Sequence, residues 1–187
     1  MSDYTIIDDI TDTLLAVLQA NMSGQIAQDH ISAASPADIT DDTSPRLSLF
    51  LYQIHENKHL KNLGMQETNT GTLRYPPLSL NLYYLLTAYA SSRDTEHQIV
   101  GRAVQILYDN AIIRGSLLQG SLSGTFEELI VVMHTLPLDD LNKLWSMFGS
   151  KPYRLSVTYQ VSTALVDSTR ERAGDRVIQR AINYSVP

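Results

Sequence analysis

His55 and His59 stand four residues apart in HENKHLK, the spacing at which a helix would set two imidazoles on one face as zinc ligands. They fall at the exit of an expected strand, among Lys and Asn, where exposed loop residues or hydrogen-bonded caps are the ordinary outcome. His97 and His134 are lone histidines, expected to be packed or helix-capping. Paired acids at Asp8 and Asp9, Asp41 and Asp42, Glu127 and Glu128, and Asp139 and Asp140 have the composition of general acid and base pairs or calcium ligands. Three of the four pairs sit where helix starts or polar turns attract carboxylates anyway. The sequence has no phosphate loop, no GxGxxG after a strand, no GxSxG elbow and no HExxH. It also has no cysteine, which removes disulfides, thiolate nucleophiles, iron–sulfur clusters and cysteine-ligated zinc together. No residue is assigned as catalytic, cofactor-binding or metal-ligating, and the chain reads as a non-enzyme without metal, nucleotide or organic cofactor.

The elements that would have to position any site come from a globular composition: 187 residues, 43% hydrophobic and 18% charged. A net charge of −6 opposes wrapping a polyanion, so nucleic acid is not an expected partner. The acidic start, MSDYTIIDDITDTLL, lacks the basic and unbroken apolar regions of a signal peptide, which predicts a cytoplasmic chain. No apolar passage reaches the roughly 20 residues that span a bilayer, so no membrane span is expected.

Ile7, Ile10, Leu14, Leu18 and Met22 recur at helical spacing and predict an amphipathic helix over 3–22. A short strand is expected over 26–31 and a surface loop over 32–45. RLSLFLYQI then alternates, with Leu47, Leu49 and Leu51 opposite Phe50, Tyr52 and Ile54, as in a strand covered on both faces. Residues 55–77 read as a long connection, and LSLNLYYLLTAYA as a second strand. A helix with Asp94 as N-cap follows, its stripe formed by Ile99, Ala103, Ile106 and Leu107. The Gly- and Ser-rich stretch 114–124 predicts a turn or mobile loop, and ELIVVMHTL a buried strand. A short helix from Pro137 to Gly149 would turn Leu141, Leu144 and Phe148 inward. YRLSVTYQVSTALVDS is the longest alternating segment, with Leu155, Val157, Tyr159, Val161 and Leu165 sharing one face. The ten tyrosines mostly alternate within these strands, where cross-strand packing accounts for them. The sum is an α/β (α+β) fold, a mainly antiparallel sheet with helices packed on one face.

Residues 1–168 form the expected domain and 169–187 a C-terminal arm. The arm sets Val177, Ile178, Ile182 and Tyr184 beside Arg172, Arg176 and Arg180, with no core periodicity of its own. These seven residues are the candidate protein interface, expected to dock on another subunit and not on the chain's own core.

RLSLFLYQIHENKHLKN, RYPPLSLNLYYLLTAYA, EHQIVGRAVQILYDN and LNKLWSMFGSKPYRLSVTYQVSTALVDS, in that order, resemble the domain at the N-terminus of the cap protein of extracellular contractile injection systems. The resemblance implies a phage tail-terminator-like fold. It also implies a structural cap that closes the inner tube and sheath at the end distal to the baseplate. The implied partners are further copies of the chain in a hexameric ring, together with tube and sheath subunits. Assembly would occur in the cytoplasm before the cap joins the particle. Members of the family carry a further C-terminal region, so a chain stopping at Pro187 is expected to be a minimal cap or one of several paralogues. A cytoplasmic adaptor unrelated to a tube, and an enzyme with an unrecognised site, are the rival readings.

Overall fold

The computed structural model describes residues 4–40, 44–60, 64–67 and 72–173. Its framework is a six-stranded sheet of order β1-β2-β5-β8-β7-β6, from β1 (Ile31–Ser32), β2 (Arg46–Glu56), β5 (Leu78–Tyr89), β6 (Ile112–Arg114), β7 (Glu128–His134) and β8 (Ser156–Val166). A three-stranded sheet joins β3 (Gln66–Glu67), β4 (Thr72–Arg74) and β9 (Glu171–Ala173). Every pairing is antiparallel except that of β1 with β2. The long alternating segments become the centre of the sheet, while β1 and β6, both very short, form its edges.

Alternation sends β5 to two cores at once. Leu82, Tyr84 and Leu86 enter the main core, under α1 (Ile6–Asn21) and α2 (Arg93–Asp109), while Leu85 turns to the opposite face. There it packs with Leu144, Trp145 and Phe148 of the segment around α3 (Leu138–Ser146), and with Phe50 and Tyr52 of β2. The helices therefore cover both faces and not one. The period-two reading of β2 as a strand covered on both sides accommodates this; placing all the helices on one face does not.

The helices follow from local chemistry. In α1 the buried stripe is Ile6, Ile10, Leu14, Val17 and Leu18, one residue out of step with the expected Ile7, which is only partly buried. Asp8 and Asp9 occupy its first turn, where the helix dipole favours carboxylates. The N-cap of α2 is Ser92, whose Oγ accepts the Thr95 backbone N–H at 3.2 Å, so Asp94 lies inside the first turn instead of capping it. After α3, Gly149 takes φ +71°, a left-handed conformation that ends the turn without a Cβ penalty.

The expected strand over 26–31 is instead a 3-10 turn, Gln28–His30, followed by β1. Two further short segments were read as loop and carry structure. The 55–77 connection contains a 3-10 turn at Lys58–Leu60 and the strands β3 and β4. The stretch 114–124 holds two 3-10 turns, Gly115–Leu117 and Gly120–Leu122, with Leu118 and Leu122 in the main core. It is pinned to α1: the Gln119 N–H donates to Thr13 Oγ1 at 3.0 Å, and the Ser121 hydroxyl donates to Asp9. Two bulges also intervene. The β5–β8 register passes from Leu80↔Ala164 to Asn81↔Ser162, skipping position 163, so Ala164 and not Leu165 enters the core. In β2 the skipped residue is Tyr52.

Burial sets the titration of the phenols. Tyr89 and Tyr159 are both pushed up from the usual 10.0 to about 12, mainly by loss of hydration; beside Tyr89, Arg154 opposes the shift and Glu96 adds to it. Tyr84, whose hydroxyl shares a 2.9 Å hydrogen bond with Thr11 Oγ1, is raised further by its burial. The unfolded chain ionises these groups near 10, so their contribution to stability is intact below that pH and is lost as pH rises toward about 12. A phenolate absorbance titration should show a late set of tyrosines whose ionisation coincides with loss of the folded circular dichroism signal. Complete titration near 10 with the fold intact would contradict this burial.

Candidate interaction surfaces

The sheet face that bears α3 is covered only at one end. Paired positions run across the uncovered part in rows: Ile112, Ile130, Ser162, Asn81 and His55 in one, Val132, Gln160, Tyr83 and Gln53 in the next. Toward the β6 edge these rows become apolar, and Ile112 and Val132 stand 55% and 53% exposed. Toward β2 they become aromatic: the Tyr83 ring lies 5.1 Å from His55 and 5.1 Å from His134, each edge-on. A half-covered sheet with an apolar outer strip is suited to protein contact.

On the opposite face an apolar groove of about 520 Å³ runs between α2 and β7. One wall is the α2 stripe Gly101, Val104, Gln105 and Tyr108, spaced to share a side of the helix. The other wall is Val131 to Met133, with Tyr159 and Ala111 completing it.

The expected arm divides at the boundary of the described residues. Its first part is held by its own chain: β9 pairs with β4 through Leu73↔Arg172, and the Tyr75 N–H donates to the Arg170 carbonyl at 3.3 Å. The Arg170 guanidinium also lies 4.6 Å from the centre of the Tyr75 ring. Arg172 is thus an exposed residue of a strand that belongs to the domain, which moves the start of any free arm from Thr169 to beyond Ala173. The docked start has a physical cause: the 55–77 connection, read as loop, supplies a free strand edge. Arg176, Val177, Ile178, Arg180, Ile182 and Tyr184 lie outside the described residues.

Among the described residues, the structure brings no group of catalytic or metal-ligating character together from the other candidates; Asp41 and Asp42 lie outside the described residues. His55 lies next to last in β2 with its ring edge-on to Tyr83, whereas His59 sits in the following 3-10 turn, where its backbone N–H donates to Asn57 Oδ1. Among the described residues, no group of three or more His, Cys, Asp or Glu is placed to hold a metal ion. Glu128 pairs with Arg114 at 2.9 Å and Asp140 with Lys143 at 2.9 Å, both at the surface. No described helix is long and apolar enough to cross a membrane.

Sequence reasoning missed Ile112, Ile130, Val132 and Met133 as surface residues. The unbroken apolar run ELIVVMHTL reads as a buried strand, but β7 alternates between buried Leu129 and Val131 and exposed Ile130 and Val132. The signal was the brevity of β6, which leaves nothing beyond it to cover the outer strip.

The profile of the Pvc16 N-terminal domain family matches residues 9–180. Solved structures similar to this chain include two terminators. One is the PVC sheath/tube terminator of an extracellular contractile injection system in its extended state. It is 23% identical, with a TM-score of 0.68, and the match covers 100% of this chain and 65% of that one. The other is the anti-feeding prophage tube-terminating cap, 20% identical with a TM-score of 0.63, covering 100% of this chain and 63% of that one. The chain thus spans just under two thirds of each terminator, and it shares their fold. No curated protein sequence matches it. By the profile match over nearly its whole length, joined to a mixed sheet of the terminator type, this chain belongs to the Pvc16 N-terminal domain family.

Proposed function

We propose that the chain is a structural, non-enzymatic cap that terminates the inner tube and sheath of a contractile injection system at the end distal to the baseplate. The observation that carries this reading is the family match, supported by likeness to two tube terminators over the full chain. The proposed partners are other copies of the chain, as a homohexameric ring, and tube and sheath subunits. The chain assembles in the cytoplasm and then remains with the particle. A ring of this kind uses heterologous contacts, one patch meeting a different patch on the next copy, and presents outward a face that does not template another layer. The exposed strip of Ile112, Ile130 and Val132 and the α2–β7 groove are physically suited to such contacts.

The segment beyond Ala173, with Arg176, Val177, Ile178, Arg180, Ile182 and Tyr184, is proposed to join this assembly, and Arg172 to border it. Truncation after Ala173 retains β9, so the shortened chain should melt as cooperatively as the whole. It should bind its ring neighbours or tube and sheath ends about tenfold or more weakly, equivalent to at least about 1.4 kcal/mol. Unchanged binding would make the segment dispensable, and unfolding would make it core structure. An adaptor unrelated to a tube would show neither ring formation nor binding to tube ends.

A further inference from the structure

The α2–β7 groove is lined by ten residues, none of them charged. Two of its large side chains are left largely to water: Tyr108 at 81% and Met133 at 51% exposure. An uncharged groove of this kind favours an apolar stretch of polypeptide over an anion or a polar metabolite. Two charges flank the α2 wall: Arg102, beside Gly101, donates to Gln105 Oε1 at 2.9 Å, and exposed Asp109 follows Tyr108, so the Tyr108 end of the mouth favours a basic flank.

The chain itself contains a segment with both properties. Positions 174–187 follow β9 and hold Val177, Ile178, Ile182 and Tyr184 between and after Arg176 and Arg180. Over 169–187, four arginines against Glu171 and Asp175 give +2; with −6 for the whole chain, residues 1–168 carry −8. Opposite net charges favour the encounter of this segment with the body of another copy. At about 3.3 Å per residue, the segment extends to roughly 46 Å, enough to cross onto a neighbour. The segment starts from β9, in the three-stranded sheet with β3 and β4, whereas the groove lies between α2 and β7 of the six-stranded sheet.

We propose that the α2–β7 groove receives segment 174–187 of a second copy of this chain, apolar side chains inward and arginines toward Asp109. This rests on the ring reading above and gives its heterologous contact two named halves.

The chain has no native cysteine, which permits a direct test on the full-length protein. Met133→Cys in one preparation and Ile178→Cys in another, mixed in equal amounts and mildly oxidised, should yield a mixed dimer of twice 20.9 kDa as the main cross-linked product. The exposed substitution Tyr108→Glu in the Met133→Cys chain should cut that yield about tenfold, as a loss of about 1.4 kcal/mol requires. A yield no higher than that of Ile178→Cys mixed with the distant surface variant Lys143→Cys would overturn the proposal. So would a Met133→Cys, Ile178→Cys double variant that closes only within single chains. Native mass measurement on the same samples separates the two readings. A ring without the cross-link sinks the groove assignment alone, whereas absence of both ring and cross-link removes the ring reading as well.

Discussion

Arg154→Met is expected to lower the unfolding free energy by about 3 kcal/mol, because removing one half of a buried ion pair strands the other charge. Arg154, just before β8, pairs with Glu96 in the first turn of α2, and the two side chains are only 21% and 14% exposed. The guanidinium also lies 5.1 Å from the centre of the Tyr89 ring, so a single side chain ties α2 to β5 and β8. The N-terminal dipole of α2 offsets part of the cost of a lone Glu96 carboxylate, which places the effect at the low end of the range for such pairs. For a chain of this size the melting temperature should fall by about 6–12 °C. Adding Glu96→Gln to Arg154→Met should recover a large part of the loss, since the stranded charge is then gone. A loss below about 1 kcal/mol, or no recovery in the double variant, would show that this pair is no more than a surface contact.

Gly120→Ala should be nearly as damaging, by roughly 2–4 kcal/mol, from two separable causes. Gly120 has φ +57°, where an L side chain costs about 1–2 kcal/mol. A Cβ built there also falls inside the carboxylate of Asp9, which accepts hydrogen bonds from Ser121 and, at 3.1 Å, from Thr5 Oγ1. Displacing that carboxylate gives up bonds worth about 1 kcal/mol each. Combined with Asp9→Ala, the glycine substitution should cost only its conformational part, so a double-mutant cycle in urea should show coupling of at least about 1 kcal/mol. Strict additivity would mean that the loop shifts freely and is not held against α1.

That loop also shows where sequence reading stopped. Gly115, Gly120 and Gly124 all take positive φ, so turns were legible in the composition. Their docking was not: it depends on Leu118 and Leu122 reaching α1 across about a hundred residues of sequence, and a local pattern carries no trace of such a contact. The central strands were legible because β2, β5 and β8 keep a period of two over many residues. The two- and three-residue strands β1, β3, β4, β6 and β9 were not, since so few positions fix no period. Leu165 was assigned to the wrong face because a single bulged residue inverts every side chain after it, and bulges have no reliable local signature here. For the interaction surfaces, the sequence indicated the apolar and basic composition of the segment after Ala173. The groove required tertiary structure, because its walls come from α2, β7 and β8 together.

Capping itself is tested most directly by imaging. Injection particles assembled with a gold-labelled or tagged copy of the chain should carry the label at one end only, opposite the baseplate, in a ring of uniform stoichiometry. Tubes and sheaths assembled without the chain should lack that density. Label distributed along the sheath, located at the baseplate, or absent from complete particles would contradict the account.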